Sequence, residues 1–248
     1  MVKGWLEKTP VPLRRVALSE HASVDYSHWV TSLGPVRQLL AEGLDLSPAT
    51  VLVGENGTGK STLVEAIAMA YGMNGEGGST GATHSTWVSE SPLWDWLSLT
   101  RSPGGSRWGY FVRAETMHGL FTFLDGTREE NYTRDPEFHQ LSHGEAFQTL
   151  FDTTRFTGDG FYVLDEPEAG LSFTAQLRLV SELMGMLEHS GVQVLIATHS
   201  PIIASLPGAT VLELDADGFH ERAWDDLDLV LHYRGFCELP ERYLRHLR

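Results

Sequence analysis

Apolar residues along this chain fall into short dense runs, and the runs follow two different periods. Val51-Leu52-Val53, Gly160 to Leu164 and Val192 to Thr198 are continuous apolar stretches of strand length. Runs of that kind predict strands buried on both faces. Pro12 to Leu18, Tyr110 to Glu115, Leu120 to Leu124 and Val211 to Leu214 predict further strands or buried segments, the last of them the final strand. Between these runs the spacing becomes helical. Leu63, Ile67 and Ala70 share a face of Ser61 to Tyr71, and Phe147, Leu150 and Phe151 continue a helix opened near Ser142. Leu177, Val180, Leu183, Met184 and Leu187 mark a helix over 173–191 that Gly191 stops. Leu33, Val36, Leu39 and Leu40 lie in Trp29 to Leu40, where Gly34-Pro35 interrupts. Leu227, Leu229, Val230, Leu231, Tyr243 and Leu244 predict a helical tail.

The stretch between the first buried run and the first helix carries chemistry. Gly54-Glu55-Asn56-Gly57-Thr58-Gly59-Lys60-Ser61 matches the G-x-x-x-x-G-K-[ST] phosphate-binding loop, and Thr62 follows. A strand precedes it and a helix follows, as that loop requires. Its glycines allow backbone N–H groups to turn inward, and the positive end of the next helix faces the phosphates. Lys60 is the residue to reach the outer phosphates, and Ser61 the hydroxyl to offer Mg²⁺.

Three further stretches bear on the same chemistry. Asp165-Glu166-Pro167-Glu168 ends a buried strand, where paired carboxylates are costly unless a cation or a reaction employs them. Asp165 is expected to hold Mg²⁺, and Glu166 to act as general base. His199 also follows a buried strand and can reach the same crevice, because ligands sit at strand ends in such sheets. Ser142, with Glu145 three residues later, forms a capping box at a helix start. Tyr26 and Trp29 are candidates to stack on an adenine ring, against ordinary core packing.

Composition narrows the class. The single cysteine, Cys237, excludes an internal disulfide and a cysteine-rich zinc site. A net charge of −15 disfavours direct binding to nucleic acid or an anionic membrane, short of a local basic patch. No run is long and apolar enough to suggest a membrane helix, and the first residues lack a signal-peptide core, so a cytoplasmic protein is expected. Residues 73–86 read as a mobile loop rich in small and polar residues. Trp87, Trp94, Trp96 and Trp108 then cluster, either packing a small helical lobe or forming an interface.

In order, these motifs resemble those of the ATP-binding-cassette (ABC) ATPases. Gly54 to Ser61 is similar to the Walker A loop, Leu141-Ser142-His143-Gly144-Glu145 to the signature, and Phe161 to Glu168 to Walker B. Ala169 to Ser172 is similar to the D-loop, and Thr198 to Pro201 to the segment of the switch histidine. The resemblance implies an α/β P-loop NTPase fold: a three-layer α/β/α sandwich with a mainly parallel core sheet, an N-terminal antiparallel β segment and a small helical lobe. It implies a single domain over 1–248, with roughly 73–150 inserted as the lobe that bears the signature. ATP and Mg²⁺ are the implied ligands, bound through Glu55, Asn56, Gly57, Thr58, Gly59, Lys60, Ser61 and Thr62, with Ser61 and Asp165 on the metal. Lys60, Glu166 and His199 are the implied catalytic residues. Ser142, His143, Gly144 and Glu145 would act in trans in an ATP-dependent head-to-tail homodimer.

Two departures from the family stand out. The usual glutamine between the first two motifs is missing: the first glutamine after Ser61 is Gln140, and Glu115 is the nearest substitute. The signature carries His143 and Glu145 where the strict form has Gly and Gln. Both features resemble the small stand-alone AAA-type and repair-type ABC ATPases, although the gap from Lys60 to Leu141 is too short for their coiled coil. The resemblance implies an ATP-driven switch acting on an unknown protein partner, in nucleic-acid maintenance or defence. The alternative is the nucleotide-binding subunit of an ABC membrane transporter.

Overall fold

The computed structural model describes residues 10–81, 91–116, 122, 140 and 143–245. In chain order these form β1 (Leu13–Leu18), α1 (Gly34–Glu42), β2 (Leu44–Asp45), β3 (Ala49–Gly54), α2 (Lys60–Tyr71), β4 (Gly78–Ser79), α3 (Leu93–Trp96), β5 (Leu97–Arg101) and β6 (Gly109–Arg113). Then come α4 (His143–Phe151), β7 (Gly160–Asp165), α5 (Phe173–Leu187), β8 (Val192–Ala197), β9 (Thr210–Leu214), β10 (Phe219–Glu221), α6 (Asp228–Glu238) and α7 (Pro240–Leu244).

The buried runs become the centre of one sheet, ordered β10-β9-β3-β8-β7-β6-β4 among the described residues. β9, β3, β8, β7 and β6 are parallel, and β10 and β4 close the two edges antiparallel. Alternation along each strand fills two cores. Val51, Val53, Tyr110, Val112, Tyr162, Leu164, Val194 and Ile196 face one side, with Leu150 of α4, Leu179, Val180 and Leu183 of α5 and Val230 of α6. Leu52, Phe111, Phe161, Val163, Leu195 and Ala197 face the other, with Leu63, Val64 and Ile67 of α2 and Val36 and Leu39 of α1. The result is the expected α/β/α sandwich of a P-loop NTPase. Because both faces are covered, these strands have no polar side, which is why they read as unbroken apolar runs.

The N-terminal antiparallel segment is a second sheet, β2-β1-β5. One fully buried side chain, Gln193 of β8, joins it to the core. Its Oε1 accepts from the Leu13 N–H at 2.8 Å, and its Nε2 donates to the carbonyls of Leu13 at 2.6 Å and Ser47 at 3.0 Å. A buried amide is tolerated here because its donor and acceptor are both satisfied.

Several expectations change. Pro35 occupies the first turn of α1, where it lacks only an N–H the helix does not use, so Gly34-Pro35 opens the helix and does not interrupt one. Within 73–86, β4 pairs with β6 and Met73 is buried, so the start of this loop is pinned to the sheet; 82–86 lie outside the described residues. The stretch expected as a helical lobe begins instead with sheet: β5 pairs with β1, and β6 is a core strand. Trp96 is buried in the core of the α2 side, whereas Trp94 and Trp108 are partly exposed; Trp87 lies outside the described residues. On α5, Leu177 and Met184 face solvent, because Leu179, Val180 and Leu183 carry the contact with the sheet. β9 is not the last strand: β10 returns beside it. The tail is helical as expected, in two pieces broken before Pro240. The strand expected at Leu120 to Leu124 lies outside the described residues except for Thr122.

Candidate nucleotide-binding site

Glycine geometry builds the loop between β3 and α2. Gly54 has φ 148°, and a Cβ there would lie 2.5 Å from the Leu214 carbonyl oxygen. Gly57 and Gly59 have φ 81° and 98°, a region that side chains rarely adopt. Gly59 caps α2 in that left-handed conformation, and Leu63 N–H closes the first helical turn onto its carbonyl at 2.9 Å. The N–H groups of the first turn of a helix have no partner within the helix, so they are free to receive an anion.

Lys60 begins α2, is 4% exposed, and donates from Nζ to the carbonyls of Gly54 and Glu55 at 2.8 Å each. Burial pulls its pKa down, and Glu166, Asp165 and Glu168 oppose that shift. Thr58 Oγ1 donates to the Glu55 carbonyl at 2.9 Å and closes the loop on itself. A cleft of about 170 Å³ opens above it, lined by Trp29, Asn56, Lys60, Ser61, Glu166 and His199 among others. Trp29 therefore stands at the cleft, whereas Tyr26 is 73% exposed and does not line it.

The acidic residues arrive from neighbouring strands. Asp165 ends β7 and is buried. Burial pushes its carboxyl up to about 6, against the pull of Arg113 and of a hydrogen bond from Ser61. Its Oδ1 is buried without a hydrogen-bond partner. An orphaned carboxylate oxygen beside a serine hydroxyl fits Mg²⁺, which takes one or two protein oxygens and completes its shell with phosphate and water. No group of three or more His, Cys, Asp or Glu side chains suited to a metal exists among the described residues.

Glu166 has φ 51°, the one positive φ at a non-glycine position among the described residues. Such a conformation costs on the order of 1–3 kcal/mol and concentrates at functional sites. Hydrogen bonds hold it: Glu166 N–H donates to the Ala197 carbonyl at 2.9 Å, and Ala169 N–H donates to the Glu166 carbonyl at 3.0 Å. The turn swings the Glu166 side chain out of the strand line into the cleft. His199 Nε2 lies 3.4 Å from Glu166 Oε1, close but outside hydrogen-bond geometry. The His199 backbone is fixed by Glu168, whose Oε1 accepts its N–H. Ser200 Oγ donates to Gln176 Oε1 at 2.6 Å, and Gln176 Nε2 donates to the Leu171 carbonyl at 3.0 Å. The histidine loop and the segment before α5 are thus held together.

Of the residues read from sequence, Lys60, Ser61, Glu166 and His199 share one cleft, and Asp165 is tied to it through a hydrogen bond with Ser61. Ser142 lies outside the described residues; the backbone of His143, Gly144 and Glu145 forms the start of α4. Glu115 is 75% exposed on its side chain and meets the site only through Arg113, at 3.4 Å. Arg113 itself had no signal in the sequence, because its partners come from three separate segments.

Two family models match the chain in segments. One, described as "AAA domain", matches residues 37–93 and so covers the phosphate loop and α2. The other, described as "AAA domain, putative AbiEii toxin, Type IV TA system", matches residues 150–205 and covers Asp165 to His199. Among solved structures, a bacterial Atm1-family ABC exporter with ATP bound is 12% identical at TM-score 0.50, over 92% of this chain and 43% of that one. The SMC head domain from Thermotoga maritima is 15% identical at TM-score 0.47, over 86% of this chain and 100% of that one. No curated protein matches. Both matching models describe an AAA domain, one over the phosphate loop and one over Asp165 to His199, and the solved structures share the fold.

Proposed function

We propose that this protein binds and hydrolyses ATP with Mg²⁺ and uses the cycle as a conformational switch. The observation that carries this reading is the convergence of Lys60, Ser61, Glu166 and His199 on one cleft over the N-terminus of α2, with buried Asp165 beneath. Backbone N–H groups of the loop and Lys60 would bind the phosphates. Ser61 and Asp165 would hold Mg²⁺, which neutralises charge on the phosphate oxygens. Glu166 would take the proton of the attacking water, and His199 would donate to the outer phosphate.

Hydrolysis in the cleft requires that bulk water be excluded, so a second surface must close over it. Ser142, His143, Gly144 and Glu145 are the residues we assign to that role in a head-to-tail homodimer. Residues 1–248 act as one ATPase domain, with the signature segment as its lobe. Among the described residues no helix is long and apolar enough to cross a membrane.

The deciding experiment is the solution mass of the Glu166→Gln variant with and without Mg·ATP. A doubling that requires both ATP and Mg²⁺ is the expected result. A mass that stays monomeric at saturating ATP would rule out the homodimer and leave nucleotide binding to be tested alone.

A further inference from the structure

Arg113 ends β6, directly opposite Asp165 in the parallel ladder with β7. Its guanidinium meets three carboxylates from three elements. It forms an ion pair with Glu65 on α2, one helical turn beyond Ser61, and lies 3.4 Å from Glu115 Oε2. Its Nε lies 3.5 Å from Asp165 Oδ2. Glu65 and Asp165 are both largely buried, so the guanidinium is a fixed part of the site floor and not a solvated surface cation.

The two oxygens of Asp165 therefore differ. Oδ2 faces Arg113, and Oδ1 is buried without a hydrogen-bond partner. We infer that Arg113 is a positioning residue for the divalent cation: by drawing Oδ2 into an ion pair it fixes the orientation of Asp165 and leaves the unpartnered Oδ1 to the metal. Glu65 and Glu115 complete the device. They offset the guanidinium charge, so that three carboxylates against one cation still leave the floor attractive to Mg²⁺. Glu65 also ties the device to α2, the helix that carries Ser61, and keeps the two metal-facing oxygens in one rigid frame. This inference rests on the Mg·ATP reading above.

Groups next to metal ligands typically change affinity 10–100-fold when removed, because they fix ligand orientation. The test is binding of a fluorescent, hydrolysis-resistant ATP analogue, titrated with MgCl₂ and separately in EDTA. Arg113→Gln retains a donor for Glu65 but cannot hold all three carboxylates. It is expected to raise the Mg²⁺ midpoint by about 10-fold or more and to leave the EDTA affinity unchanged. Arg113→Lys should recover part of the loss. Should Arg113→Gln fold poorly, Arg113→Gln with Glu65→Gln removes both charges together and should show the same Mg²⁺ defect.

Wild-type binding that strengthens with Mg²⁺, and does so equally in these variants, would overturn the positioning role alone. A lower Mg²⁺ midpoint in Arg113→Gln would also overturn it, since Arg113 would then act as a competing cation. Equal losses with Mg²⁺ and in EDTA would assign Arg113 to the nucleotide or to the general fold instead. Wild-type binding indifferent to Mg²⁺ would overturn the function proposed above, and this inference with it.

Discussion

Two cations serve the acidic end of β7, buried Lys60 and partly buried Arg113, and they are held in opposite ways. Lys60 is anchored by backbone carbonyls of its own loop, Gly54 and Glu55, within a stretch of seven residues. Arg113 is anchored by side chains from α2, from the turn after β6 and from β7. A cation bonded to neutral carbonyls exchanges them for phosphate oxygens at little cost, because a charged acceptor is the stronger partner. A cation bonded to buried carboxylates cannot leave without stranding them, which costs several kcal/mol. Lys60 is thus built to engage a ligand, and Arg113 to stay in place.

Mutations can break that contrast or sharpen it. The largest effect belongs to the reaction itself. Glu166→Gln should lower ATP turnover by about 10²-fold or more while binding persists; normal turnover would remove Glu166 from the chemistry. Next, Lys60→Ala should weaken nucleotide binding on the order of 10²-fold, the worth of a charged hydrogen bond. That loss should occur with and without Mg²⁺. A deficit confined to Mg²⁺-containing buffer would erase the distinction from Arg113.

Asp165 supplies a stability effect. Its carboxyl is raised from 3.8 to about 6, chiefly by burial, so the folded state favours the protonated form. The stability this proton confers is present below about pH 4 and is lost as pH rises through about 6. In metal-free buffer, chemical denaturation should therefore show Asp165→Asn gaining on wild type from pH 4 to 6, by on the order of 2–3 kcal/mol, and levelling above. A flat difference would mean that the carboxyl is not desolvated. The smallest effect is at the strained turn. Glu166→Gly should stabilise the fold by about 1 kcal/mol by relieving the positive φ, while abolishing turnover. An unchanged melting temperature would show that the turn is not strained.

The same contrast explains what could be read in advance. The phosphate loop is a contiguous stretch whose glycines and lysine are needed in a fixed order, so the sequence displays it whole. The strands were legible because burial on both faces leaves no polar alternation, as in β7 and β8. Arg113 was not legible. Glu65, Glu115 and Asp165 converge on it only after β6 and β7 pair and α2 packs across them, and Glu115 alone gave no hint of the guanidinium between. β10 escaped notice because its three residues are Phe, His and Glu, an edge strand with a single apolar position. On α5 helical spacing allowed a wide apolar stripe, but Leu179, Val180 and Leu183 are its buried residues, with Leu187 packed beside them and Leu177 and Met184 exposed.

Gln193 has a mechanical consequence. Its amide clasps both backbone groups of Leu13 and the carbonyl of Ser47, two residues before β3 begins. The small sheet is therefore riveted to the root of the strand that carries the phosphate loop. A load applied to β1 is passed to β3 through that rivet, and any displacement of β3 is passed back to the small sheet. The small sheet is in this sense a lever arm, and Gln193 its pivot.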